Sequence, residues 1–201
     1  MRTPFAAAAL VLGLSLASTG CGSDDSTEGT SVPVSATEHN EADVAFATDM
    51  IQHHAQALAM VDLTMGRDLD PEVEALAEEI RAAQAPEIES MSDWLQEWGE
   101  QVPETVRDHA NAGHDTEGHE PDAGAELPGM MSAEDLTALE NASDTEFQDM
   151  WVAMMVEHHE GAVEMAQAEQ ADGQYEPAVD LAGDIIDSQT AEIQTMTKLL
   201  G

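Results

Sequence analysis

The chain of 201 residues has one cysteine, five basic residues and only about 3% aromatics. Each shortage excludes something. A lone Cys21 can form no intrachain disulfide, so no disulfide framework holds the fold. Five Lys and Arg against 42 Asp and Glu leave a net charge of −37, the opposite of the basic footprint that phosphate backbones require. That excludes nucleic acid as a partner, and it argues against docking on anionic lipid through a basic patch. No alternating Val-, Ile- or Thr-rich segment is present to build a sheet. Apolar residues, by contrast, reach 42%, enough for a core, and the chain carries twelve Met and eight His. These Met and His are clustered, which makes them the candidates for function.

The N-terminus reads as an address. Met1-Arg2 is a short positive start, and Phe5 to Leu16 is an apolar run broken only by Ser15. Small residues follow to Gly20, and then comes Cys21. The run has the length of an export signal and is too short for a membrane span. A lone Cys after Gly at its end resembles a bacterial lipoprotein signal, in which the Cys becomes the lipidated first residue. Ser18 stands where Leu is usual three residues before the Cys. Residues 1–20 are therefore predicted as a signal peptide, with Cys21 as the lipidation site. The protein is expected outside the cytoplasm, on the outer face of the cell membrane, or secreted if Cys21 is not lipidated. A lipidated Cys21 leaves no thiol for chemistry. Residues 21–40, mostly Ser, Thr, Asp, Glu and Gly, read as a flexible tether.

The remainder is one unit written twice. Met50-Ile51-Gln52-His53-His54 matches Met155-Val156-Glu157-His158-His159 at an offset of 105. At the same offset Met60 falls on Met165, Ile80 on Ile185, and Gln84-x-x-Glu87-Ile88-x-x-Met91 on Gln189-x-x-Glu192-Ile193-x-x-Met196. A register held without a gap over about 45 residues is an internal duplication.

Each copy reads as two helices. In the first, Phe46, Met50, His53, Ala57 and Met60 recur three or four apart. The second follows Asp70-Pro71, an N-cap with proline at the first helical position. Ser143-x-x-Glu146 opens the third as a capping box, and the fourth runs from about Pro177 to Leu200. The expected fold is all-α, four helices forming a bundle from two hairpins, residues 41–98 and 143–201, joined by a long connection at 99–142. The connection carries His109, His114 and His119, a weak metal candidate in a segment that reads mainly as a solvated loop. It ends in Pro128-Gly129-Met130-Met131, expected as a turn before a short helix. Pro86 inside the second helix is expected to kink it and to make the two halves unequal around Glu87 and its counterpart Glu192.

At about 100° per residue, Met50, His53 and Met60 share one narrow stripe, and Met155, His158 and Met165 repeat it. Gln84, Glu87 and Met91 lie within about 60° of one another, as do Gln189, Glu192 and Met196. His54 and His159 sit at the stripe's border. A neutral imidazole offers one nitrogen donor, and a thioether offers soft sulfur that needs no deprotonation. That set suits copper, above all Cu(I), better than Mg²⁺ or Ca²⁺. Glu87 and Glu192 suit Cu(II), zinc or iron, or orient an imidazole from behind. Binding is then expected to weaken below about pH 6. Gln84 and Gln189 are expected as hydrogen-bond partners. The opposing reading is a structural or interaction module at the cell surface whose His and Met stripes are only core.

Enzyme readings find less support. A carboxylate-bridged di-iron oxidase needs Glu-x-x-His on two helices, and no His here has an acidic residue three positions before it. No nucleophile motif of a Ser or Cys hydrolase is present either.

The stretch from Pro128-Gly129-Met130-Met131 through Phe147 and Met154-Met155-x-x-His158-His159-x-Gly161-Ala162 to Met165-Ala166 resembles the signature of a bacterial family, domain of unknown function 305. The resemblance covers about residues 41 to 200. It implies a ferritin-like helical fold and an exported, often lipid-anchored protein rich in His and Met, with some members linked to copper handling and no established enzyme activity. It carries to Met50, His53, His54 and Met60, and to Met155, His158, His159 and Met165. The first copy departs from the pattern, with Ala55-Gln56-Ala57 in place of Glu160-Gly161-Ala162.

Overall fold

The computed structural model describes residues 32–107 and 127–201. The predicted signal, Cys21, most of the tether, and His109, His114 and His119 lie outside them. Among the described residues there are five helices and no strand: α1 (Glu41–Asp62), α2 (Pro71–Trp98), α3 (Ala133–Asn141), α4 (Asp144–Asp172) and α5 (Glu176–Leu200). None of them is long and apolar enough to cross a membrane.

Local chemistry sets the helix ends. Asn40 Oδ1 accepts from the Ala42 and Asp43 amides while Asp43 Oδ2 accepts from the Asn40 amide, a reciprocal cap that starts α1. Proline opens α2, and Gly99 ends it at φ +79, the left-handed conformation that glycine adopts without a side-chain penalty. Ser132 and Asp135 cap α3 in the same reciprocal way. Ser143 caps α4 less fully than its sequence suggests. Its hydroxyl bonds the Glu146 carboxylate at 2.6 Å, not the helix backbone.

The chain joins the helical body before α1. Ser35 forms a bridge with Tyr175, its N–H donating to Gln174 O at 2.7 Å and its carbonyl accepting from the Glu176 amide at 2.9 Å. His39 stacks on Trp98 at 4.3 Å. The predicted tether is thus docked from Ser35 onward, because Ser35 supplies backbone partners to the turn between α4 and α5.

Helix α1 packs along α2 and α4 along α5, and α1 meets α4 across the middle. The apolar core is divided in two. One cluster holds Ala57, Met60, Val73, Ile80, Phe147, Trp151, Met155 and Met196. The other holds Phe46, Met50, Met91, Leu95, Ala162, Ala166, Ala182 and Ile185. On every long helix polar residues lie between the two clusters: His53, His54 and Gln56 on α1, Gln84 and Glu87 on α2, His158 and His159 on α4, Gln189 and Glu192 on α5. The second cluster precedes His53 on α1 but follows His158 on α4, so the two helices run in opposite directions where they meet. A polar layer therefore separates the two apolar clusters.

Candidate metal centre

The four histidines of the layer are fully buried. The His53 and His158 rings lie 3.8 Å apart, centroid to centroid. The two halves thus converge on one place. His54 Nε2 donates to Glu87 Oε2 at 2.6 Å, and His159 Nε2 donates to Glu192 Oε2 at 2.7 Å. These pairs correspond at the 105-residue offset, and their geometry is the same. The inequality expected from Pro86 is absent. Helix α2 runs through Pro86 unbroken, and Pro86 and Ala82 both lie on its exposed face.

His53 Nε2 is held by the Pro128 carbonyl at 3.0 Å. A carbonyl only accepts, so Nε2 carries the proton and Nδ1 carries the lone pair. The two Glu contacts fix His54 and His159 the same way, which is how an outer carboxylate prepares an imidazole for a metal. Nδ1 of all four histidines, and Nε2 of His158 as well, have no hydrogen-bond partner. Native interiors rarely leave such groups orphaned. Five orphaned imidazole nitrogens in one buried layer fit a ligand set that waits for an ion.

Burial disfavours the charged imidazole. It lowers His53 from the ordinary value to about 3, helped by the neighbouring His54. It also lowers His158 well below its ordinary value, with His53, His159 and His54 adding to the effect. Both rings therefore stay neutral and able to donate at physiological pH.

Met50, Met60, Met91, Met155 and Met196 are buried with no exposed surface, and Met165 is half-buried against the second cluster. Met50, Met91 and Met165 lie on one side of the layer, and Met60, Met155 and Met196 on the other. Among the described residues no three His, Cys, Asp or Glu side chains already surround a common point in a metal-holding arrangement. Glu87 and Glu192 each spend one oxygen on an imidazole. Gln84 bonds neither with its Nε2 nor with its Oε1, so it does not fill the hydrogen-bond role expected of it, and Gln189 Oε1 is also unpartnered.

Sequence reasoning noted Gln56 only as a departure from the pattern and Pro128-Gly129-Met130-Met131 only as a turn, and it missed that the two meet. Gln56 Oε1 accepts from the Met131 amide at 2.7 Å, and its Nε2 donates to Met131 O at 2.9 Å. A Cβ on Gly161, which occupies the same repeat position as Gln56, would collide with the Pro128 carbonyl. The coincidence of that one position was the available signal.

The profile of the family described as Domain of unknown function (DUF305) matches residues 43–200. The chain belongs to this family. Among solved structures, a DUF305 protein of Streptomyces coelicolor proposed to be secreted is 30% identical, with a TM-score of 0.66 over 79% of this chain and 91% of that one. A DUF305 fragment from Deinococcus radiodurans is 27% identical, with a TM-score of 0.64 over 81% and 97%. CopM in its Cu(II)-bound form is 30% identical, with a TM-score of 0.62 over 79% and 95%, and CopM is also known in Cu(I)-bound, Ag-bound and apo forms. No curated protein sequence matches the chain.

Proposed function

We propose that this DUF305 protein is exported and lipid-anchored through Cys21, and that it binds or buffers a soft transition metal, copper first. In this reading its four long helices are a ferritin-like bundle of two repeated hairpins that share one histidine layer. His53, His54, His158 and His159 would hold the ion, with thioethers from Met50, Met60, Met155 and Met165, and then Met91 and Met196, as further donors. Glu87 and Glu192 orient His54 and His159. The observation that carries the reading is the set of orphaned imidazole nitrogens buried between two Met-containing clusters.

The donor chemistry favours copper over zinc or iron. Structural zinc sites gather four N, O or S⁻ ligands, usually tetrahedrally, and Met is not among them. Here neutral sulfur flanks the imidazoles on both sides of the layer. The existence of CopM in Cu(I)-, Cu(II)- and Ag-bound forms supports the same class of ion. The ion is cargo, not a reaction centre. A non-catalytic, metal-binding role is what the CopM neighbours support. Export is supported by the signal pattern and by the Streptomyces relative proposed to be secreted.

The test is a competition titration against chromophoric chelators with Cu(I), Cu(II) and Zn²⁺. The expected order places Cu(I) tightest. Zn²⁺ held as tightly as Cu(I) would overturn the soft-metal assignment, and weak cation uptake abolished by salt would leave a surface module with a histidine-containing core.

A further inference from the structure

Every imidazole of the layer is sealed from solvent, so an ion reaches it only if a wall opens. Opening a long helix breaks its internal hydrogen-bond ladder. One wall is built differently. Residues 127–131 are a strap of irregular backbone laid against α1 and α4, turned by a Met130 amide to Leu127 O bond of 3.2 Å. Leu127 to Met130 are half-buried, yet the Pro128 carbonyl touches His53 Nε2 at 3.0 Å. At that point a single thickness of backbone separates water from the layer.

The strap is fastened at one repeat position used in two ways. On α1, Gln56 clasps Met131 with both ends of its amide. On α4, Gly161 lacks the Cβ that would strike Pro128, so the strap lies directly on the helix. Gly129, at φ +74, presses against the Glu157 carbonyl, where a side chain would collide.

We propose that the strap at residues 127–131 is the door of the histidine layer, and that Gln56 is its latch. This rests on the metal-binding reading above. Release of the Gln56 clasp lifts Met131 and Pro128 together and opens the path to His53. Closure returns the Pro128 carbonyl to Nε2 and aims the Nδ1 lone pair inward. Gln56 is thus a positioning residue that acts through the strap, and it is not a ligand.

The experiment compares the full wild-type chain with Gln56→Leu, Gln56→Glu and Gly161→Ala. Two quantities are read: amide hydrogen exchange at Met131, and the rates of Cu(I) uptake and of Cu(I) loss to excess chelator. Losing the clasp should accelerate Met131 exchange by about tenfold, given two modest hydrogen bonds. Uptake and loss of Cu(I) should accelerate together by a similar factor, leaving Kd nearly unchanged. A merely structural role would weaken Kd without speeding uptake. Gln56→Glu keeps the acceptor for the Met131 amide and should fall between wild type and Gln56→Leu. If Gly161→Ala does not fold, the two Gln56 variants decide the matter. Faster exchange with unchanged Cu(I) rates would overturn the door, and unchanged exchange would overturn the latch. A wild-type chain that binds no Cu(I) would overturn the reading beneath them, whatever the exchange shows.

Discussion

His158 is buried with nothing in the apo protein to offset the cost. Both of its ring nitrogens are sealed and unpartnered. An orphaned buried polar group costs about 1–3 kcal/mol. His158→Leu should therefore raise apo stability by that order, as measured by urea unfolding, while it weakens Cu(I) binding. Destabilisation of the apo fold by His158→Leu would point to a packing role instead. The same burial sets a pH dependence. His53 and His158 have folded-state pKa values below those of the unfolded chain, with His53 at about 3. Below about pH 6.5 the unfolded chain takes up protons that the folded chain refuses, so apo stability falls as pH falls from 6.5 toward 3. The slope is about 1.4 kcal/mol per pH unit for each such histidine, and His158→Leu should remove one share of it. Proton competition at these two rings also sets in well below the pH 6 expected from an ordinary imidazole.

At the scale of elements, the repeat made most of the architecture legible. Helix starts at Glu41 and Pro71 and the end at Trp98 follow from Asn40, Asp70-Pro71 and Gly99, which are local signals. The pairing of His54 with Glu87, and of His159 with Glu192, was foreshadowed by their common offset. What stayed hidden depends on chain separated widely in sequence. Gln56 and His53 each meet the strap 75 residues away, and no helical period records that. Pro86 misled because its cost depends on exposure, which a wheel does not give. The other hidden element is the junction of α1, α4 and α5. There the buried Asp43 carboxylate accepts from the Gln174 and Tyr175 amides, both at 2.9 Å. Glu169 is buried beside it, pushed up to about 8 by burial, then by Asp43 and Asp172. A Cβ on Gly173 would strike its carboxyl. A carboxyl with a raised folded-state pKa contributes stability that is full below about pH 4.5 and lost as pH rises through about 8. Glu169→Gln should remove that loss and raise Tm by a few degrees at pH 8, with little change at pH 4.5. An equal shift at both pH values would show that Glu169 does not titrate in this window.

For the whole molecule, the charge and the layer act on different ranges. A net charge of −37 raises the local concentration of any cation, but salt screens that attraction and it selects no metal. In the proposed function selection falls to the interior, where the two halves of the chain bring His53 and His158 into ring contact. The copies are alike in ligand positions and unlike at Gln56 and Gly161, and that difference closes the strap over one side. On the proposed function, the repeat in the sequence accounts for a site at the middle of the helical body, and divergence at one position accounts for its cover. The central claim is that the ion is held where the halves meet. It is tested most directly by titrating Cu(I) into wild type and into His53→Leu/His158→Leu, with the apo fold of each checked by circular dichroism. The expected result is loss of tight Cu(I) binding in the double variant while its helical content and cooperative unfolding persist. Tight Cu(I) binding retained by a folded double variant would contradict the claim.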